Sequence, residues 1–345
     1  MNKEILYLGC YTPEGNVGIK VVEFDVITGQ LKEIASVADL PDTSFLAVSK
    51  DKNYLLAVSE CAGEGQLGCF DISKPKLPIF INKQSSMGYS PCHISLNAKK
   101  AFISNYSSGS VGAFSLSGHT LSPAYAHVQH QGQSSNLERQ ESAHAHASKL
   151  SIDGRFLVVA DLGIDALKVY QVTEQQLDLV FTATMPAGSG PRHLTFGPKG
   201  DRLYLGNELS NEVSVFEFDV QQGSLRLLQT LSSLPNEFNG ESLIAEVALS
   251  QDGKFLYVSN RGHDSICVFE VEPFSGDLKV IAFTNTGGKT PRHFALSPNQ
   301  QWLLVAHQDS NYLQVFKRDI NSGLLIQTSN KLEVKHAVCV CFYSL

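Results

Sequence analysis

Two short stretches repeat a proline, an arginine and a histidine in that order: Gly190-Pro191-Arg192-His193 and Thr290-Pro291-Arg292-His293. A third, Glu141-Ser142-Ala143-His144-Ala145-His146, spaces two imidazoles two residues apart. Elsewhere an asparagine is followed by an acid in Asn207-Glu208 and by an arginine in Asn260-Arg261. Imidazoles and carboxylates can move a proton, and guanidinium forks bind carboxylates, phosphates and developing oxyanions. Such a set could hold an anion and activate water beside it. The residues are scattered along the chain, so only a fold that returns repeatedly to one place could gather them.

The sequence has that property. A short apolar segment ending in an aromatic recurs seven times, at Phe24, Phe70, Phe114, Tyr170, Phe216, Phe269 and Phe316. The spacings are 46, 44, 56, 46, 53 and 47 residues, and seven such units fill nearly all 345 residues. Each unit has the same internal order. A run ending in Ser (His293 to Ser297) leads to a turn (Gln251-Asp252-Gly253-Lys254) and an apolar run (Phe255 to Asn260). The aromatic-bearing segment follows, and an alternating run closes the unit. Runs of 4–8 residues rich in Val, Ile, Phe and Tyr, bounded by turn residues, are strands. Four strands per unit at this period predict an all-β fold, a seven-bladed β-propeller with four antiparallel strands per blade, as a single domain over residues 1–345. The chain begins at a second strand (Ile5 to Thr12) and ends with a first strand (Lys335 to Phe342). The N- and C-terminal strands are therefore expected to share one blade and close the ring.

In such a blade the start of the first strand and the end of the second lie on the same face of the ring. First-strand starts place His93, His144, His146, Arg192, His193, Glu246, Arg292, His293, Lys335 and His336 at that rim. Second-strand ends add Tyr11, Glu60, Asn105, Asp161, Glu208, Arg261 and Gln308. His93, His293 and His336 fit the repeat and suit hydrogen bonds between blades. His144, Arg192, Glu208, Arg261 and Arg292 depart from it, which marks them as site candidates. The longest spacing falls beside His144, where the polar segment from Gln129 to Gln140, with Arg139, reads as a lid or specificity loop.

Composition narrows the function. Lys plus Arg number 27 against 34 Asp plus Glu, a net charge of −7, so no basic field for nucleic acid exists. No apolar run is long enough to span a membrane, and the N-terminal one is too short for a secretory signal, so no membrane partner and a cytoplasmic location are expected. Seven scattered cysteines without CxxC spacing read as reduced, mostly buried thiols. The histidines would have to come from different blades to bind a metal, with no local spacing motif, so neither metal nor cofactor is expected. The outer strands carry mixed polarity and do not define an oligomeric state.

In these motifs the chain resembles the seven-bladed propeller lactonases, which include bacterial propeller-type 6-phosphogluconolactonases and fungal 3-carboxy-cis,cis-muconate lactonizing enzymes. The resemblance runs through Arg139 to His146, Gly190 to His193, Gly206-Asn207-Glu208-Leu209, Asp252 to Arg261 and Pro291 to Phe294, and covers essentially the whole chain. It differs at Ala143 and Ala147, where the family usually has Pro and Ser. The resemblance implies a catalytic set of His144, Arg192, Glu208 and Arg261; from their places at the rim and in the loop, His146, His193, Arg292, His293 and Arg139 are expected to bind substrate.

The expected reaction is hydrolysis of a small anionic sugar lactone, 6-phosphoglucono-1,5-lactone above others, in the pentose phosphate pathway. Glu208 or His144 would activate water, and arginines would stabilise the oxyanion. Lactonization of a carboxymuconate needs the same anion clamp and one acid/base, so it is an alternative. A non-catalytic binding propeller is the other, although a binding platform would expose aromatic and apolar residues at the rim.

Overall fold

The computed structural model describes residues 2–61, 63–117 and 120–344. Seven four-stranded antiparallel sheets form, six of them from consecutive strands. In the remaining one, blade 1, Lys3–Cys10, Ile19–Asp25 and Leu31–Val37 are joined by Ala337–Phe342 from the far end of the chain. Leu6 pairs with Phe342 and Leu8 with Val340 across that join. The shared blade is present as expected, with its N-terminal strand beginning and ending two residues earlier and its C-terminal strand two residues shorter. His336 turns with φ +51° and its carbonyl accepts the Tyr11 N–H, so pairing starts only at Ala337.

Adjacent innermost strands touch one another around a closed circle, from Ala337–Phe342 through Phe45–Val48 to Pro291–Leu296 and back. Seven apolar clusters fill the seven gaps between blades. The one joining blades 7 and 1 contains Leu6, Phe24, Trp302, Val315 and Phe342. All seven repeat aromatics lie on third strands and are buried in these gaps. Each such side chain contributes roughly 1.5–3 kcal/mol by leaving water. Trp302 also donates its indole N–H to the Val26 carbonyl at 2.8 Å, tying blade 7 to blade 1.

Two local devices aim side chains at the channel. Most innermost strands bulge near their start. Pro191 pairs with Asn207 but Leu194 with Leu205, so two residues of blade 5 oppose one; Pro91, Ala145, Ile244 and Pro291 precede similar shifts. Regular pleating would send Arg192 and His193 to opposite faces, and the extra residue lets both turn inward. The second device is the turn after the second strand. Its left-handed residue is Asp165, Asn211, Asp264 or Asn311 in blades 4 to 7, with φ between +48° and +59°. Asp and Asn tolerate this conformation better than other non-glycine residues. In blades 5 and 6 the turn follows Asn207-Glu208 and Asn260-Arg261 and holds Glu208 and Arg261 at the channel.

Candidate active site

A polar cavity of about 330 Å³ opens at one end of the channel. Its wall is Glu60, Ser90, Cys92, Tyr106, Arg139, His146, Arg192, Glu208, Arg261 and Arg292. The opposite end widens into a funnel of about 730 Å³ with apolar residues such as Phe45, Ile94 and Phe294 in its wall and no arginine. The guanidiniums and carboxylates are therefore collected at one end, and among the described residues the funnel wall carries only Lys50 and Lys149 as charged side chains.

Glu208 organises the cavity. Its Oε1 accepts from Arg139 Nη2 at 2.6 Å. Its Oε2 lies 3.0 Å from Arg261 Nη2 and 2.7 Å from Arg192 Nε. The Arg192 approach is an ion pair with poor hydrogen-bond direction, so Arg192 Nε and Nη1 and Arg261 Nε remain buried donors without a hydrogen-bond partner. Burial alone would raise the Glu208 carboxyl, but Arg261, Arg192 and Arg139 overcome it and hold the group at about 2. Burial brings Arg261 down to about 10, with Glu208 opposing the drop. Four guanidiniums face two carboxylates, Glu60 and Glu208.

Arg192, Glu208 and Arg261 thus converge, with Arg139, Arg292 and His146 beside them. Arg292 lies over the Tyr11 ring, 5.5 Å from its centroid, and donates to Gln308 Oε1 at 3.2 Å. His146 Nε2 is 3.8 Å from Glu208 Oε2, and burial together with Arg192 keeps its basicity well below the ordinary imidazole value.

His144 lies elsewhere. Its ring stacks on Tyr106 at 4.5 Å, outside the cavity wall, with Nδ1 3.0 Å from the Tyr106 carbonyl and Nε2 3.1 Å from Glu141 Oε1. Both ring nitrogens face acceptors within the protein. His193 and His293 sit deeper, in the throat of the channel. They share Glu246 Oε2 at 2.8 and 3.2 Å, and His293 Nδ1 accepts the Val340 N–H. They brace blades 5, 6, 7 and 1 around that carboxylate.

The segment from His130 to Gln140 is a fixed strap. His130 Nδ1 meets Asp161 Oδ2 at 2.6 Å, Ser134 Oγ donates to Asp165 Oδ2, and Gln140 Nε2 donates to the Leu162 carbonyl. So anchored, it delivers Arg139 to Glu208 and to the Tyr106 hydroxyl.

Rim positions in blades 3 and 4 were expected at Asn105 and Asp161. In blade 3 the wall position falls one residue later, at Tyr106, and in blade 4 neither Asp161 nor the buried Leu162 after it reaches the wall, because the Asn105 and Asp161 side chains turn inward to bind backbone. Asn105 donates to the Ser86 carbonyl, and Asp161 accepts the N–H groups of His144 and Gly163. Tyr106 is the cavity residue. Setting Asn105-Tyr106 against Asn207-Glu208 and Asn260-Arg261 would have revealed it. Cys92, at the bulge position that Arg192 and Arg292 fill in their blades, also lines the wall. All seven cysteines are free thiols, six of them buried.

The family model for the seven-bladed β-propeller lactonases matches residues 5–342. The chain belongs to this family. It is 35% identical to a 6-phosphogluconolactonase of Bacillus subtilis, over 99% of both chains. A 6-phosphogluconolactonase of Formosa agariphila is 31% identical, over 95% of this chain and 96% of its own. Among solved structures, the periplasmic gluconolactonase PpgL of Pseudomonas aeruginosa superposes with a TM-score of 0.91 at 32% identity, over 99% of each chain. In this lactonase-family chain the cavity gathers three of the four residues the resemblance implied as catalytic, and sets His144 behind Tyr106.

Proposed function

We propose that the protein hydrolyses a sugar lactone carrying a negative charge, with 6-phosphoglucono-1,5-lactone its principal substrate. The observation that carries this reading is the pair of buried guanidinium nitrogens without a partner, Arg192 Nη1 and Arg261 Nε, in the wall of a cavity with more cations than anions. Buried donors ordinarily find acceptors, so a site that withholds them is built to receive one. The Bacillus subtilis and Formosa agariphila relatives, both 6-phosphogluconolactonases, support the phosphorylated lactone, and the Pseudomonas aeruginosa gluconolactonase supports a sugar lactone more broadly.

Water attacks the lactone carbonyl, and the oxygen gathers negative charge. Arg192 and Arg261 supply donors fixed before the reaction begins, which lowers the barrier without reorganisation. Glu208 holds these arginines in register and is itself too acidic to take the proton of water. Arg139 at the lip and Arg292 on the far wall receive the phosphate, which suits bidentate guanidinium contacts.

Turnover of 6-phosphogluconolactone and gluconolactone by the purified protein, after subtraction of spontaneous hydrolysis, tests the reading. The phosphorylated substrate should show the higher kcat/KM, and Arg192→Ala should lose at least about 100-fold. No enzyme-dependent opening of either lactone would overturn it.

A further inference from the structure

We propose that Glu60 is the general base, accepting the proton of the water that attacks the lactone carbonyl. This rests on the lactone-hydrolysis reading and adds the one role it leaves unassigned. Five side chains at the cavity wall can exchange protons: Glu60, Cys92, Tyr106, His146 and Glu208. Both oxygens of Glu208 are engaged by guanidiniums. His146 is neutral but weakly basic, through burial and Arg192. Burial pushes the Cys92 thiol and the Tyr106 phenol upward, so each keeps its proton.

Glu60 differs in its contacts. Its Oε2 accepts a hydrogen bond from the Tyr11 hydroxyl at 3.1 Å, while its Oε1 is buried and has no donor. Among the described residues no cation pairs with it at salt-bridge distance. A buried carboxylate oxygen lacking a donor, in the wall of a polar cavity, is a seat for a water O–H. Ring order adds direction. Glu60 leaves the second strand of blade 2, whereas Arg192 and Glu208 belong to blade 5 and Arg261 to blade 6. In a circle of seven these are facing walls. A lactone between them would turn its carbonyl oxygen toward the arginines and offer its carbon to water on the Glu60 side.

The step balances. A water lone pair forms the bond to the carbonyl carbon, one water proton passes to Glu60 Oε1, and the carbonyl π pair moves onto oxygen. Collapse restores the double bond and breaks the ring C–O bond, and the ring oxygen takes the proton from Glu60. The open-chain acid then ionises to solvent.

Steady-state turnover of 6-phosphogluconolactone by wild type, Glu60→Gln and Glu60→Ala tests this, alongside thermal melts and titration with 6-phosphogluconate. Glu60→Gln should lower kcat about 10²–10⁴-fold while KM and product affinity stay within about threefold. Formate added to Glu60→Ala should restore rate in proportion to its concentration, which no loss of packing would mimic. A Glu60→Gln protein within about tenfold of wild-type kcat would overturn the assignment. So would a raised KM at constant kcat, which would make Glu60 a ligand of a sugar hydroxyl. If Glu60→Gln melts well below wild type, the formate dependence decides, and a flat response overturns the proposal. Wild type without turnover would remove the lactonase reading and Glu60 with it, whereas active wild type and active Glu60→Gln remove Glu60 alone.

Discussion

Arg139 and Glu208 are 69 residues apart in the chain and 2.6 Å apart in the ring. The pair joins an insertion between blades 3 and 4 to the second-strand turn of blade 5. It also closes the third side of a carboxylate that Arg192 and Arg261 already hold. Substitution of Arg139 by Ala should leave the fold intact, because the strap is anchored by other residues. It should lower kcat/KM for the phosphorylated lactone by about 10–100-fold and affect the unphosphorylated one less, as a comparison of the two substrates would show.

The carboxyl of Glu208 is held at about 2 against an ordinary 4.5. A lowered folded-state value means stability that is present above about 4.5 and lost as pH falls through 2. The contribution is about 3 kcal/mol. His293 acts in the same direction at higher pH. Burial, partly opposed by Glu246, lowers it from 6.5 to about 4, so its share is lost as pH falls across that interval. Burial raises Glu246 and works in opposition. Urea unfolding between pH 7 and 3 should therefore show falling stability. Glu208→Gln should be less stable at pH 7 by about 3–5 kcal/mol, with the difference from wild type shrinking toward pH 3.

Asp165 touches nothing in the cavity, yet it serves both arginine-bearing loops. Oδ2 accepts from Ser134 Oγ in the strap and from the Gly188 N–H, and Oδ1 accepts the Gly190 N–H just before Pro191-Arg192. Asp165→Ala should reduce kcat by about 100-fold through displacement of Arg139 and Arg192. Asp165→Asn, which keeps one acceptor oxygen, should recover part of it. Equal melting temperatures with unequal kcat would separate positioning from folding.

His144 bears on the reaction through Tyr106. Replacement by Ala removes the stack and the contact with the Tyr106 carbonyl, and should cost about tenfold or less in kcat. A loss as large as that of Arg192→Ala would restore His144 to a direct role.

Removal of the last ten residues takes away the whole innermost strand of blade 1. Leu6, Tyr7, Leu8 and Gly9 lose their partners, and the cluster holding Val340 and Phe342 opens. A sharp fall in melting temperature is expected, and an unchanged melting curve would show that ring closure contributes nothing.

Repetition made the architecture legible. The period of the aromatics, the turn residues between strands and the phase of the two ends determine seven blades and the shared one, because each strand needs only local alternation and a neighbour. Departures from that repeat likewise marked Arg192, Glu208, Arg261 and Arg292. What the tertiary structure alone decided was aim. A bulge turns Arg192 and His193 inward together, while side chain to backbone bonds draw Asn105 and Asp161 away from the rim. Stacking on Tyr106 takes His144 out of the cavity, and a braced strap carries Arg139 into it. These outcomes depend on contacts between residues far apart in sequence, at distances where a single residue of register changes which side chain meets the substrate. Linear pattern has no means of expressing that.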